Sequence, residues 1–111
     1  MTDCIFCKIA TGEIPADKVY EDDQVVVFRD INPKAAVHLL LISRKHIDSL
    51  EGLTVADDAL IAYMVGLLPS LAKAQGLESG FRTIINTGKG GGQEVFHLHI
   101  HLLGGSDLPG F

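Results

Sequence analysis

The segment His97-Leu98-His99-Ile100-His101-Leu102-Leu103 alternates imidazole with aliphatic side chains. This period of two becomes two distinct faces on an extended strand. On such a strand Val95, His97, His99, His101 and Leu103 point one way, while Phe96, Leu98, Ile100 and Leu102 point the other. One face carries chemistry and the other packs, so the segment calls for a sheet with an apolar layer behind it.

The rest of the chain supplies that layer. At 111 residues, with 47% hydrophobic and 21% charged side chains, it has the size of one domain spanning 1–111. Lys18 to Glu21 and Gln24 to Asp30, separated by Asp22-Asp23, read as a β-hairpin. His38 to Ser43 reads as a strand buried on both faces. From Thr54, an N-cap with Asp57 three residues on, apolar residues from Leu60 to Ala72 recur at helical spacing until Gly76. Pro69 predicts a kink or break near 66–70. Strands over Phe81 to Asn86 and Phe96 to Leu103, joined by the Gly-rich loop 87–92, complete an α+β chain with a largely antiparallel sheet.

The net charge of -5 opposes binding to nucleic acid polymers. No basic leader and no run of 18 consecutive apolar residues stands in the sequence, so a cytoplasmic location without a membrane span is expected. In a reducing compartment, the Cys4-x-x-Cys7 spacing points to metal ligation or redox chemistry rather than a structural disulfide.

A neutral imidazole is nucleophilic near pH 7, and its neighbours can donate hydrogen bonds to a phosphate, so a row of histidines suits transfer of a phosphorus-centred group with His99 as nucleophile. A metal site or buried structural histidines fit the same spacing. Glycines 88, 90, 91 and 92 allow backbone N–H groups to converge on an anion, although Gly90 stands where a Walker loop needs Ser or Thr.

The pattern HLHIHLL, with the collinear segments CIFCKIATGEIPADKVYEDD, VVVFRDINPKAAVHLLLISRKHI and GFRTIINTGKGGGQEVFHLHIHLLGG, resembles the histidine triad (HIT) superfamily, in particular its short bacterial nucleotide-binding members. The resemblance implies an α+β homodimer whose sheet continues across the interface, and hydrolysis of purine nucleoside 5'-phosphoramidates through a nucleotidyl-histidine. By position, His99 resembles the nucleophile, His97 and His101 its orienting and phosphate-contacting neighbours, and His38 the fourth active-site histidine. Asp30 resembles the ribose-binding carboxylate, with Phe28, Ile31 and Leu40 as walls around the base. Asn86, Gln93 and Val95 resemble positions on the phosphate and leaving-group side, with the backbone amides of Glu94 and Val95 as donors. Eukaryotic members carry serine at the position of Glu94. An ionised carboxylate has no proton to donate there, so the Glu94 side chain is expected to point outward.

Two thiolates need two further ligands for tetrahedral zinc, and His46 is available outside the active-site set. Members of the superfamily with the C-x-x-C motif resemble an arrangement in which His97 is the fourth ligand. Zinc would then be structural and the chemical step would need no metal. A dinucleoside polyphosphate hydrolase, and a zinc-stabilised nucleotide-binding module without turnover, are the competing readings.

Overall fold

The computed structural model describes residues 3–110. Five antiparallel strands form one sheet: β1 (Lys18–Glu21), β2 (Val25–Arg29), β3 (Val37–Ser43), β4 (Arg82–Ile84) and β5 (His99–Gly104), in spatial order β1-β2-β3-β5-β4. A short helix, α1 (Ile5–Ala10), lies on one face, and the long helix α2 (Asp58–Ala74) lies on the other.

The uninterrupted apolar run of β2 follows from this sandwiching. Val25 and Val27 pack with the α2 residues Met64, Leu68, Leu71 and Ala72, while Val26 and Phe28 pack with Phe6 and Ile9 of α1. A strand covered on both faces has no solvent side to mark with polar residues. Each such aliphatic side chain contributes roughly 1.5–3 kcal/mol by leaving water.

Helix α2 begins as expected. Thr54 and Asp57 form a capping box over a 3₁₀ turn, and Lys45 reaches Asp57 at 2.6 Å. The helix then runs through Pro69 without a break. Pro69 and Val65 are exposed, so the carbonyl that loses its intrahelical donor faces solvent. The stretch Val55–Ala74 is long and apolar enough to cross a membrane by length and composition, with a mean hydropathy of 1.4. In the fold its buried stripe of Met64, Leu68, Leu71 and Ala72 covers the sheet instead.

Both C-terminal strands are shorter than their sequence patterns. β5 starts at His99, because Leu98 donates its backbone N–H to the Ile47 carbonyl and His97 donates to Val95 within a bend. These bonds carry the chain off the sheet before the first histidine of the row. Helix α1 has no counterpart in the periodicity analysis. At six residues it is too short to show a period, and its start is marked by Cys4, whose Sγ accepts the Cys7 N–H at 3.4 Å.

The β1–β2 turn is fastened by Asp22. Its Oδ1 accepts the N–H groups of Gln24 and Val25 at 2.8 and 2.9 Å, and its Oδ2 accepts the hydroxyls of Tyr20 and of Tyr63 on α2. Partial burial opposes ionisation, but the bonds from Tyr63, Gln24, Val25 and Tyr20 outweigh it and hold the carboxyl at about 2. A folded-state value below the unfolded one stabilises the protein above the unfolded pKa and ceases to do so as pH falls. Asp22→Asn should therefore lower stability in urea by roughly 1 kcal/mol at neutral pH, a figure discounted for partial exposure. The difference from wild type should close between about pH 4 and about pH 2.

Candidate active site and metal cluster

Register places the catalytic candidates together. Across β3 and β5 the partners are His38 with Leu103, Leu40 with His101 and Ile42 with His99, so His38, Leu40, His99 and His101 share the face that α1 covers. His38 and His101 are diagonal neighbours on that face, with Nε2 and Nδ1 2.9 Å apart. The His99 and His101 rings stand edge to face with centroids 5.0 Å apart.

Hydrogen bonding settles which nitrogen of each ring carries the proton. The His97 carbonyl lies 2.7 Å from His99 Nδ1 and can only accept, so His99 carries a proton on Nδ1 and, as the neutral ring, its lone pair on Nε2. The Lys34 backbone N–H donates to His38 Nδ1 at 3.0 Å, which places the His38 proton on Nε2. That proton is donated to His101 Nδ1, leaving His101 with Nε2–H as a free donor. Burial, followed by the neighbouring His99 and His38 rings, lowers His101 to about 4. Burial likewise lowers His38, against the opposing pull of Asp30. Both rings are therefore neutral at pH 7. His101 is thereby an uncharged hydrogen-bond donor whose ring stands beside that of His99.

Next to this face opens an apolar cavity of about 290 Å³, bounded by Phe6, Ile9, Phe28, Leu40 and Val95, with Asp30 and Ile31 at its margin. Phe6 closes the gap to the triad, standing edge-on to Phe28 at 5.5 Å and to His99 at 5.1 Å. Ile31 is 91% exposed and forms a rim rather than a wall. Asp30 Oδ1 accepts the Asn32 N–H at 2.8 Å, and Oδ2 lies 3.5 Å from His38 Nε2.

The Gly-rich loop differs from an open anion cradle. Gly91 and Gly92 donate within a 3₁₀ turn, Gln93 donates its N–H to the Gly88 carbonyl, and Gly88 donates to Gln93 Oε1 at 2.8 Å. Gln93 Nε2 bonds the carbonyls of Asp48 and Val95, and Asn86 Nδ2 bonds that of Gly91. Gln93 and Asn86 thus shape the loop. Gly88 and Gly92 adopt φ of 70° and 80°, conformations that favour glycine. Among the described residues no acceptor meets the backbone N–H groups of Lys89 and Gly90 in the loop or of Glu94 and Val95 after it, so these amides are available to an anion. The Glu94 side chain is exposed and lines a neighbouring cavity of about 410 Å³ with Asp3, His46 and Asp48.

His97 lies apart from the face shared by His38, His99 and His101. Its ring is fully buried, Nε2 donates to the Ser43 carbonyl at 2.6 Å, and Nδ1 faces Cys4 Sγ at 3.3 Å and Cys7 Sγ at 3.5 Å. The contact it offers His99 is its backbone carbonyl. His46 is arranged in the same way, with Nδ1 3.2 Å from Cys7 Sγ and Nε2 2.7 Å from Asp48 Oδ1. The four ligand atoms lie within 4.8 Å of one another. Around tetrahedral zinc a sulfur and a nitrogen ligand stand about 3.5 Å apart, so the cluster has the dimensions of a Cys₂His₂ site. Ser43 and Asp48 hold the far nitrogens of His97 and His46, the position that outer hydrogen-bond partners take at zinc sites. Asp30, His38 and His101 also converge, but their 2.9 Å N···N separation is a hydrogen bond and is shorter than the roughly 3.3 Å between nitrogens on one zinc. Ser43, Asp48, Phe6 and the Lys34 N–H carry no mark of these roles in the sequence, since three of them act through the main chain or through simple packing.

The family model described as scavenger mRNA decapping enzyme C-term binding matches residues 3–110. Protein HitA of Neisseria gonorrhoeae is 59% identical over 104 residues, covering 94% of this chain and 97% of that protein. A 14 kDa zinc-binding protein of Zea mays is 45% identical over 107 residues, covering 94% and 83%. The crystal structure of a HIT family hydrolase from Legionella pneumophila superposes with a TM-score of 0.94 at 48% identity, covering 96% of each chain. The chain belongs to the histidine triad family, and its five-stranded antiparallel sheet with one long helix is the fold of that family.

The neutral relay makes stability depend on pH. An unfolded imidazole gains its proton near 6.5, whereas folded His101 does so only near 4, so in between the unfolded chain holds more protons and stability falls as pH falls. Thermal melts from pH 7 to pH 4 should show this decline, with a shallower slope in His101→Asn.

Proposed function

We propose that the protein hydrolyses purine nucleoside 5'-phosphoramidates to the nucleoside monophosphate and an amine. The observation that carries this reading is the pair formed by His99, with its Nε2 lone pair, and neutral His101, with its Nε2–H, beside an apolar cavity that has a carboxylate at its margin. The membership in a family with hydrolase relatives agrees with it.

The base occupies the cavity against Phe28 and Leu40, with Ile31 at the rim, and the ribose hydroxyls donate to Asp30. His101 Nε2–H and the Glu94 and Val95 amides bind the phosphoryl oxygens. His99 Nε2 attacks the α-phosphorus. The P–N bond breaks, its electron pair leaves with the nitrogen, and that nitrogen gains a proton from water and departs as the amine. Water then attacks the nucleotidyl-histidine; the P–Nε2 bond breaks, a proton is released, and His99 regains its lone pair. His97 acts through its carbonyl by fixing the His99 tautomer. Asp3, Asp48 and Glu94 line the cavity that shares Val95 with the base cavity, and their charge disfavours the anionic leaving group of a dinucleoside polyphosphate relative to an uncharged amine.

Cys4, Cys7, His46 and His97 hold a structural zinc ion in this reading, which cross-links α1 to the segments flanking β3 and β5. The likeness to a zinc-binding protein of maize supports it. The two free thiols suit a cytoplasmic setting. A homodimer continuing the sheet belongs to the same proposal, supported by the edge strand β4 and its exposed flanking residues Phe81 and Ile85.

Adenosine 5'-phosphoramidate should turn over faster than diadenosine polyphosphate. His99→Asn should lose roughly 10³-fold or more in kcat while still binding AMP. Activity within about tenfold of wild type would assign the nucleophile elsewhere. Metal analysis should find about one zinc per chain, lost together with thermal stability in Cys4→Ser/Cys7→Ser. A metal-free protein of unchanged stability would make the cysteines packing residues.

A further inference from the structure

We propose that Asp30, His38 and His101 couple the ribose to the phosphate. Ribose hydroxyls on Asp30 direct the single His38 proton to His101, so the sugar acts on the chemical step as well as on binding. This coupling rests on the phosphoramidase reading above.

The geometry leaves His38 one proton and two acceptors. Nδ1 is closed by the Lys34 N–H at 3.0 Å, so the proton sits on Nε2. It faces His101 Nδ1 at 2.9 Å and Asp30 Oδ2 at 3.5 Å. His38 cannot serve both by taking up a second proton, because that proton would occupy Nδ1, where the Lys34 N–H already points. The ring is 5% exposed, which leaves little room for it to swing away.

Asp30 is equally constrained. Oδ1 accepts the Asn32 N–H at 2.8 Å, so Oδ2 is the oxygen through which the carboxylate competes for the His38 proton. When that competition succeeds, His101 Nδ1 loses the donor that holds its own proton on Nε2. A lone pair on Nε2 would then face the phosphoryl oxygen and repel it. A ribose diol changes the balance. Its hydroxyls satisfy the carboxylate, the carboxylate stops attracting the imidazole N–H, and the His38–His101 bond is left uncontested. His38 is accordingly a positioning residue that acts through His101.

The test compares adenosine 5'-phosphoramidate with its 2'-deoxy and 3'-deoxy counterparts. In the wild-type protein each missing hydroxyl should lower kcat on the order of tenfold, in addition to any rise in KM. In His38→Gln, kcat for the ribo substrate should already be reduced, and the deoxy effect on kcat should shrink to within about twofold while the effect on KM persists. A wild-type penalty confined to KM would overturn the coupling and leave Asp30 as a binding residue. Imidazole ¹⁵N spectra supply a readout independent of turnover. AMP should hold His101 in the Nε2–H tautomer more fully than 2'-deoxy-AMP, and identical His101 shifts in the two complexes would overturn the proposal. If the protein binds these nucleotides but hydrolyses none of the phosphoramidates, the function proposed above fails, and the spectra alone decide the coupling.

Discussion

The hydrogen bond from His97 Nε2–H to the Ser43 carbonyl, 2.6 Å long and fully buried, joins the end of β3 to the bend before β5. It fixes the His97 ring with Nδ1 toward the two cysteines. It also holds the backbone at the point where the His97 carbonyl must receive His99 Nδ1–H. A buried polar group without a partner costs about 1–3 kcal/mol, so this ring has one low-energy orientation. The Cys4–Cys7–His46–His97 cluster and the His99 imidazole both depend on it. Phe6 strengthens the connection, since its ring borders His97 at 6.0 Å and His99 at 5.1 Å.

The candidate site follows a rule of complete satisfaction. Among the described residues no buried side-chain nitrogen or oxygen lacks a hydrogen-bond partner. Main-chain groups do much of this work: the carbonyls of Ser43 and His97 and the N–H of Lys34 each fix one imidazole. Rings fixed in this way need little reorganisation when charge develops beside them, which is the condition for electrostatic preorganisation.

Features carried by local chemistry could be read directly from the sequence. The Thr54–Asp57 capping box lies within four residues, and the alternation from His99 to Leu103 survives as β5. Features decided by distant partners could not. The bend at His97 depends on the Ile47 carbonyl, 51 positions from Leu98 in the chain. The glycines of 88–92 suggested an anion cradle, yet Gln93 Oε1 takes the Gly88 N–H, a contact no composition reveals. C-x-x-C spacing specifies only half of a ligand set; His46 entered as the histidine left over from the active-site set and His97 through resemblance to a family. The Glu94 side chain points outward, as its charge required.

The donor that sets the His38 tautomer is the main-chain N–H of Lys34. Any residue except proline carries that group, so the identity of the side chain at 34 is nearly irrelevant to the proton arrangement of the candidate site. What matters is the path of the loop, shaped by the Asp30 oxygen on the Asn32 N–H and by the restricted φ of Pro33. The site is therefore robust to substitution at the residue that supplies the bond and vulnerable to insertions or deletions between 30 and 38. A loop one residue longer would keep every histidine and still release the His38 proton, and with it that of His101, from its nitrogen.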